Sequence, residues 1–165
     1  MEVSTSTWQT LQQAADGARR AAAHEQAIRF YTEALARPDA PWAAACVMRI
    51  ERSRSWFAVG NFAAIDRDLT ALAEQAAAAG DDAALVAALV ELVTNLRMQG
   101  ECERRQMYMQ QALADAERTG RADLKIDSLY VLGIAQIDMA DLPAAQASLA
   151  AAEALWTADN VLGRI

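Results

Sequence analysis

Residues able to do chemistry are few in this chain, and none of them falls into a reactive pattern. His24 is the only histidine. No second histidine and no close cysteine pair gives it metal-ligand spacing. A nucleophile–base pair would need His24 as the base and Cys46 as the nearest thiol, and nothing in the sequence places the two together. The seven glycines are scattered as helix stops and are not gathered into a phosphate-binding loop. Asp81-Asp82 follows a glycine and reads as a helix cap. Cys46 and Cys102, far apart in helical contexts, read as reduced and partly buried thiols of a cytoplasmic protein. These residues predict no enzyme activity, no metal site and no cofactor.

Composition narrows the remaining classes. The net charge is −7, and 14 of the 15 basic residues are arginine. Such a surface repels phosphate backbones, so nucleic-acid binding by this segment is not expected. No apolar run approaches the roughly 18 residues that a membrane span needs. The start, MEVSTSTWQT, lacks the basic and apolar regions of a signal peptide. Hydrophobic residues make up 54% of the chain, and alanine is the commonest of them. Alanine favours helices and leaves little side chain to bury. With three prolines and few β-branched residues, the chain reads as all-α.

Eight helices account for the periodicity. In the first, Ser6 and Gln9 form a capping box, and Trp8, Leu11, Ala15 and Ala18 recur at helical spacing. A turn at Ala23-His24 leads to a helix with Ala27, Tyr31 and Ala34 on one face, ended at Pro38. Asp39 caps the third helix, about Ala40 to Val59, with Pro41 in its first turn. Gly60-Asn61, Gly80-Asp81, Gly100, Gly120 and Ala140-Asp141 then separate five further helices.

The second helix of each pair repeats one pattern. Its inward positions are His24, Ala27, Tyr31 and Ala34, then Phe62, Ile65, Leu69 and Leu72. Next come Cys102, Arg105, Met109 and Ala112, and finally Leu142, Ala145, Leu149 and Ala152. The sets are offset by 38, 40 and 40 residues, the signature of a solenoid of helix pairs. Small residues at Ala15, Ser53 and Gly133 are expected to let paired helices approach closely. Arg105 stands in an otherwise small or apolar slot, where its stem is expected to pack while its charge reaches water.

On these residues, and above all on Leu129, Leu132-Gly133, Ala145, Leu149 and Ala152, the chain resembles the tetratricopeptide repeat (TPR) family. The resemblance covers nearly the whole chain, as one domain over 1–165 with units at about 7–37, 40–79, 82–119 and 121–158. It implies a right-handed α-solenoid of about four helix-turn-helix units. The near-40 period resembles the repeat arrays of bacterial signalling and transcription regulators, and also those of cargo-binding light chains.

The resemblance further implies a groove lined by the first helix of each pair. Its expected contacts are Glu51, Arg54 and Phe57 from the second unit. Glu91, Arg97 and Met98 come from the third, and Asp127, Tyr130, Ile134 and Ile137 from the fourth. The ligand expected there is a protein or peptide, an amphipathic segment with its apolar side toward Phe57, Met98, Tyr130 and Ile134. Arg54 or Arg97 could pair with an acid of that ligand. The bland reading stays open beside it: Glu51–Arg54 and Glu91 near Arg97 as internal ion pairs, and Phe57 and Tyr130 as packing residues. Subfamilies that hold acidic chaperone tails use lysine and asparagine at positions occupied here by Gln12, Asp16, Glu51, Ala87 and Glu91, which disfavours that ligand.

Trp156, Val161, Leu162 and Ile165 follow the last unit and look like the start of another helix. This implies either a fragment of a longer array or an end that packs on a partner such as a second copy, giving a homodimer. The function expected is the interaction or sensor part of a bacterial cytoplasmic regulatory protein. The alternative is a stand-alone adaptor that self-associates or bridges two proteins.

Overall fold

Every helix junction but one turns on a residue with positive φ. In the computed structural model, which describes residues 7–157, such residues are Ala22, Gly60, Gly80, Gly100, Gly120 and Ala140. From Gly60 onward they recur every 20 residues, so the 40-residue period is two equal helix-plus-turn steps. The turns share one hydrogen-bond scheme. The amide after the left-handed residue donates five residues back: Asn61 to Trp56 and Asp81 to Ala76 at 2.9 Å, Glu101 to Leu96 at 3.2 Å, Asp141 to Gln136 at 2.9 Å. This closes orphan carbonyls at each helix end. At Gly120 the Thr119 hydroxyl stands in, donating to the Ala116 carbonyl at 2.8 Å and accepting from the Arg121 amide at 3.1 Å.

The described residues form eight helices and no strand: α1 (Trp8–Arg20), α2 (His24–Leu35), α3 (Trp42–Ala58), α4 (Phe62–Ala79), α5 (Asp82–Gln99), α6 (Cys102–Thr119), α7 (Ala122–Asp138) and α8 (Leu142–Thr157). The all-α expectation and the helix count hold. Asn61, Asp81 and Asp141 cap the helices that follow them, accepting from Ala64, Ala84 and Ala144. Two start signals differ. Thr7 caps α1 through the Thr10 amide, and Ser6 lies outside the described residues. Asp39 does not cap α3, because the chain after Pro38 makes one more turn and the helix begins at Trp42, with extended Pro41 as its cap residue.

The chain divides into two compact units, Met1–Leu72 and Ala73–Ile165. In the first, α1 packs on α2 and α2 on α3 around Leu11, Ala15, Ala27, Tyr31, Ala34 and Met48. Ala15 and Ser53 are buried, as close helix approach requires. In the second, α7 packs against α5, α6 and α8. Val93, Met109, Val131 and Ala135 form one core cluster there, and Val86, Ala116 and Leu124 another. Gly133 sets the α7–α8 approach: a Cβ added there would stand 2.7 Å from Leu149 Cγ.

Three inward expectations are corrected. Cys102 and Leu142, the first residues of α6 and α8, are both exposed. The Arg105 charge does not reach water: the residue is 8% exposed and its guanidinium donates to Asp138 at 2.8 Å.

Candidate functional site

The ten residues expected in a groove fall into the two units. Glu51, Arg54 and Phe57 lie on α3 in the first, and the other seven lie on α5 and α7 in the second.

On α3 the charges are paired internally. Glu51 accepts from Arg54 at 2.7 Å and lies 2.9 Å from Arg19. Phe57 is exposed on one side and packs edge-to-face on Phe62 on the other, with centroids 5.7 Å apart. Behind this surface, Asp68 of α4 accepts from Arg49 at 3.0 Å and Arg52 at 2.9 Å. Arg52 also reaches the Thr32 hydroxyl at 3.0 Å and lies over the Trp56 ring. The buried Arg52 thus joins α2, α3 and α4. Sequence reading missed this network, although a buried-phase arginine in α3 is itself a signal that a carboxylate must face it.

The second unit holds the other seven residues, among them exposed Met98, Tyr130 and Ile137. Spacings of three, four and three put Asp127, Tyr130, Ile134 and Ile137 along one stripe of α7. Tyr130 is 56% exposed and Ile137 48%, with Ile134 half-buried between them. On α5, Glu91 is half-buried and Met98 is 56% exposed. The two helices touch, and their C-terminal ends are tied together. Arg97 donates twice to Asp138, at 2.7 and 2.9 Å, and Arg105 of α6 donates to the same carboxylate. The hydrogen bond from Arg97, then that from Arg105, holds the Asp138 carboxyl below the usual carboxylate range. The other end of α5 is tied too, by Arg118 of α6 to Asp82 at 2.7 Å. Arg97 is therefore paired internally, with Asp138. Arg54 and Arg97 both meet a ligand already paired.

Exposed on α5 and α7 is apolar surface: the Tyr130 ring, the branched side chains of Ile134 and Ile137, and Met98. Such a surface can hold an apolar strip of another polypeptide by burial. Among the described residues, no cluster of three or more His, Cys, Asp or Glu is arranged to hold a metal ion, and no helix is long and apolar enough to cross a membrane. His24 sits half-buried at the N-terminus of α2, beside Glu25, Gln26, Arg29 and Val59 at a shallow hollow of about 330 Å³. Set against protein-family models, curated proteins and solved structures, the chain matches none of them.

Proposed function

We propose that this chain is a non-catalytic, protein- or peptide-binding module of the TPR kind. In this reading it serves as the interaction or sensor part of a bacterial cytoplasmic regulatory protein. The observation that carries the reading is the exposed row of Tyr130, Ile134 and Ile137 beside Met98, on two helices whose ends are fixed by the Arg97–Asp138 ion pair. Large apolar side chains held open on tied helices are what a partner strip needs. The ligand is an amphipathic segment bound chiefly through its apolar side, since Arg54 and Arg97 already have carboxylate partners.

A random-peptide library selected on the immobilised full chain tests this. Amphipathic sequences should be enriched, and Tyr130→Ala or Ile137→Ala should weaken the best of them roughly tenfold or more. Arg20→Ala, on α1, should leave binding unchanged. No enrichment, or equal binding by Tyr130→Ala, sinks the reading.

A second reading is an adaptor that self-associates through its C-terminal end. It is favoured by Leu142 and Trp156, 63% and 50% exposed on α8.

A further inference from the structure

We infer that the strip bound by the α5–α7 face is cationic: an amphipathic segment of another protein whose lysines or arginines flank its apolar stripe. The inference rests on the peptide-binding reading above and adds the sign of the ligand's charge.

Charge is not spread evenly along the chain. Met1–Leu72 holds eight acidic and eight basic residues and is formally neutral. Ala73–Ile165 holds fourteen acids and seven bases, so the whole formal charge of −7 belongs to the unit that carries Met98, Tyr130, Ile134 and Ile137. The two helices that present this row repeat the imbalance. On α5 and α7, Asp82, Glu91, Asp123, Asp127 and Asp138 stand against Arg97 and Lys125.

The cations of this unit are, moreover, engaged. Among the described residues they are Arg97, Arg104, Arg105, Arg118, Arg121 and Lys125, and each has a carboxylate within 3.4 Å. Thirteen described carboxylates share those six cations. An acidic segment would meet a field of its own sign, and would have to displace a carboxylate of the protein from every cation it reached. A basic segment is drawn in by the same field, which can speed encounter by about tenfold or more.

Two features fix which end of the row takes the basic groups. Asp127 stands exposed one turn before Tyr130 on the α7 stripe. At the other end Arg97 and Arg105 set two cations on the single carboxylate of Asp138. The basic side chains of the ligand therefore belong at the Asp127 end. The Tyr130 ring, 56% exposed, adds a π surface there for an ammonium or guanidinium group.

The test is the affinity of the full chain for two labelled amphipathic peptides of about 18 residues, one helix length. Both carry the same leucine stripe, with the polar positions filled by lysine in one and by glutamate in the other. At low salt the lysine peptide should bind about tenfold tighter or better. In 1 M salt, where the screening length is about 3 Å, the ratio should fall to about twofold or less. With helicity unchanged, Tyr130→Ala should weaken the lysine peptide about tenfold and Asp127→Lys about fivefold. Binding of neither peptide refutes the apolar face as a docking site, and the cationic ligand with it. Equal binding of both, or tighter binding of the glutamate peptide, overturns the cationic ligand and leaves the apolar docking standing. A lysine peptide that binds Tyr130→Ala undiminished, or binds as well with its leucines shuffled out of the stripe, overturns the α5–α7 face as the place. Undiminished binding by Asp127→Lys overturns the placement of the basic groups at that end.

Discussion

Arg97 on α5 and Asp138 on α7, 41 residues apart in sequence, meet side-on through two hydrogen bonds of 2.7 and 2.9 Å. Arg105 of α6 shares the same carboxylate. One aspartate therefore joins the ends of three helices. The two arginines are not equivalent. The Arg97 side chain is 48% exposed and that of Arg105 is 10% exposed. Water can replace the carboxylate for the first and cannot easily do so for the second.

Removing Asp138 should therefore cost far more than removing Arg97. Asp138→Ala strands the buried Arg105 charge and should destabilise the fold by about 2–4 kcal/mol. Arg97→Ala should move the urea midpoint only slightly. The pH dependence follows from the depressed carboxyl: the folded-state value lies below the unfolded one, so the clasp is fully present above the ordinary aspartate range and is lost as pH falls through the folded value. The gap in Tm between the wild type and Asp138→Asn should be constant above about pH 5 and close below about pH 4. A gap that persists undiminished at low pH would assign the effect to packing instead of charge.

The turns carry a second prediction. Gly60, Gly80, Gly100 and Gly120 take the left-handed conformation with open space where a Cβ would stand, so glycine is needed there for φ alone. Ala140 occupies the same step of the repeat at φ 60 with a Cβ attached. A non-glycine residue in this region costs about 1–2 kcal/mol, of which the flexibility of glycine in the unfolded chain returns part. Ala140→Gly should thus stabilise the protein by about 0.5–1 kcal/mol, and Gly100→Ala should destabilise it by a similar amount. Urea midpoints at unchanged m-value measure both. Equal midpoints for Ala140→Gly and wild type would mean that this turn is not strained.

What could be read from the sequence was whatever depends on neighbours along the chain. The glycine stops, the Asn61, Asp81 and Asp141 caps and the inward set Ala27, Tyr31 and Ala34 are local in that sense, and they stand in the structure as expected. Gly133 was legible because a glycine inside a helix asks for a close neighbour, and Leu149 is that neighbour. Pairings across helices were not legible. Asp138 lies 41 residues beyond Arg97, and only the packing of α7 beside α5 brings the two together. Arg105 was marked as out of pattern, yet helical period alone could not say that a carboxylate 33 residues onward awaits it. The exposure of Cys102 and Leu142 was missed because the repeat assigns a face and does not say what packs on it at the first residue of a helix. Of the groove residues, exposure at Tyr130, Ile137 and Met98 follows from their stripes, while the internal pairing of Arg54 and Arg97 does not.

Tyr31 supplies the last prediction, at the alkaline end. Its ring is fully buried in the first unit, and its hydroxyl donates to the Asp16 carboxylate. Burial first, and the hydrogen bond to Asp16 second, push the phenol well above its ordinary value near 10. The folded-state value is the higher one, so this contribution is complete below pH 10 and is lost as pH rises toward the folded value. Tyr31→Phe removes the hydrogen bond and leaves Asp16 beside a ring, which should cost about 1–2 kcal/mol at neutral pH. Above about pH 10 the wild type loses stability because its unfolded chain ionises at this tyrosine, and the phenylalanine variant has no such group there. The two curves of Tm against pH should converge between about pH 10 and 12, and the variant should lack a late step in the absorbance titration at 295 nm. Curves that stay parallel throughout would show that the Tyr31 hydroxyl titrates alike in the folded and unfolded chain, and that packing of the ring alone accounts for its place in the core.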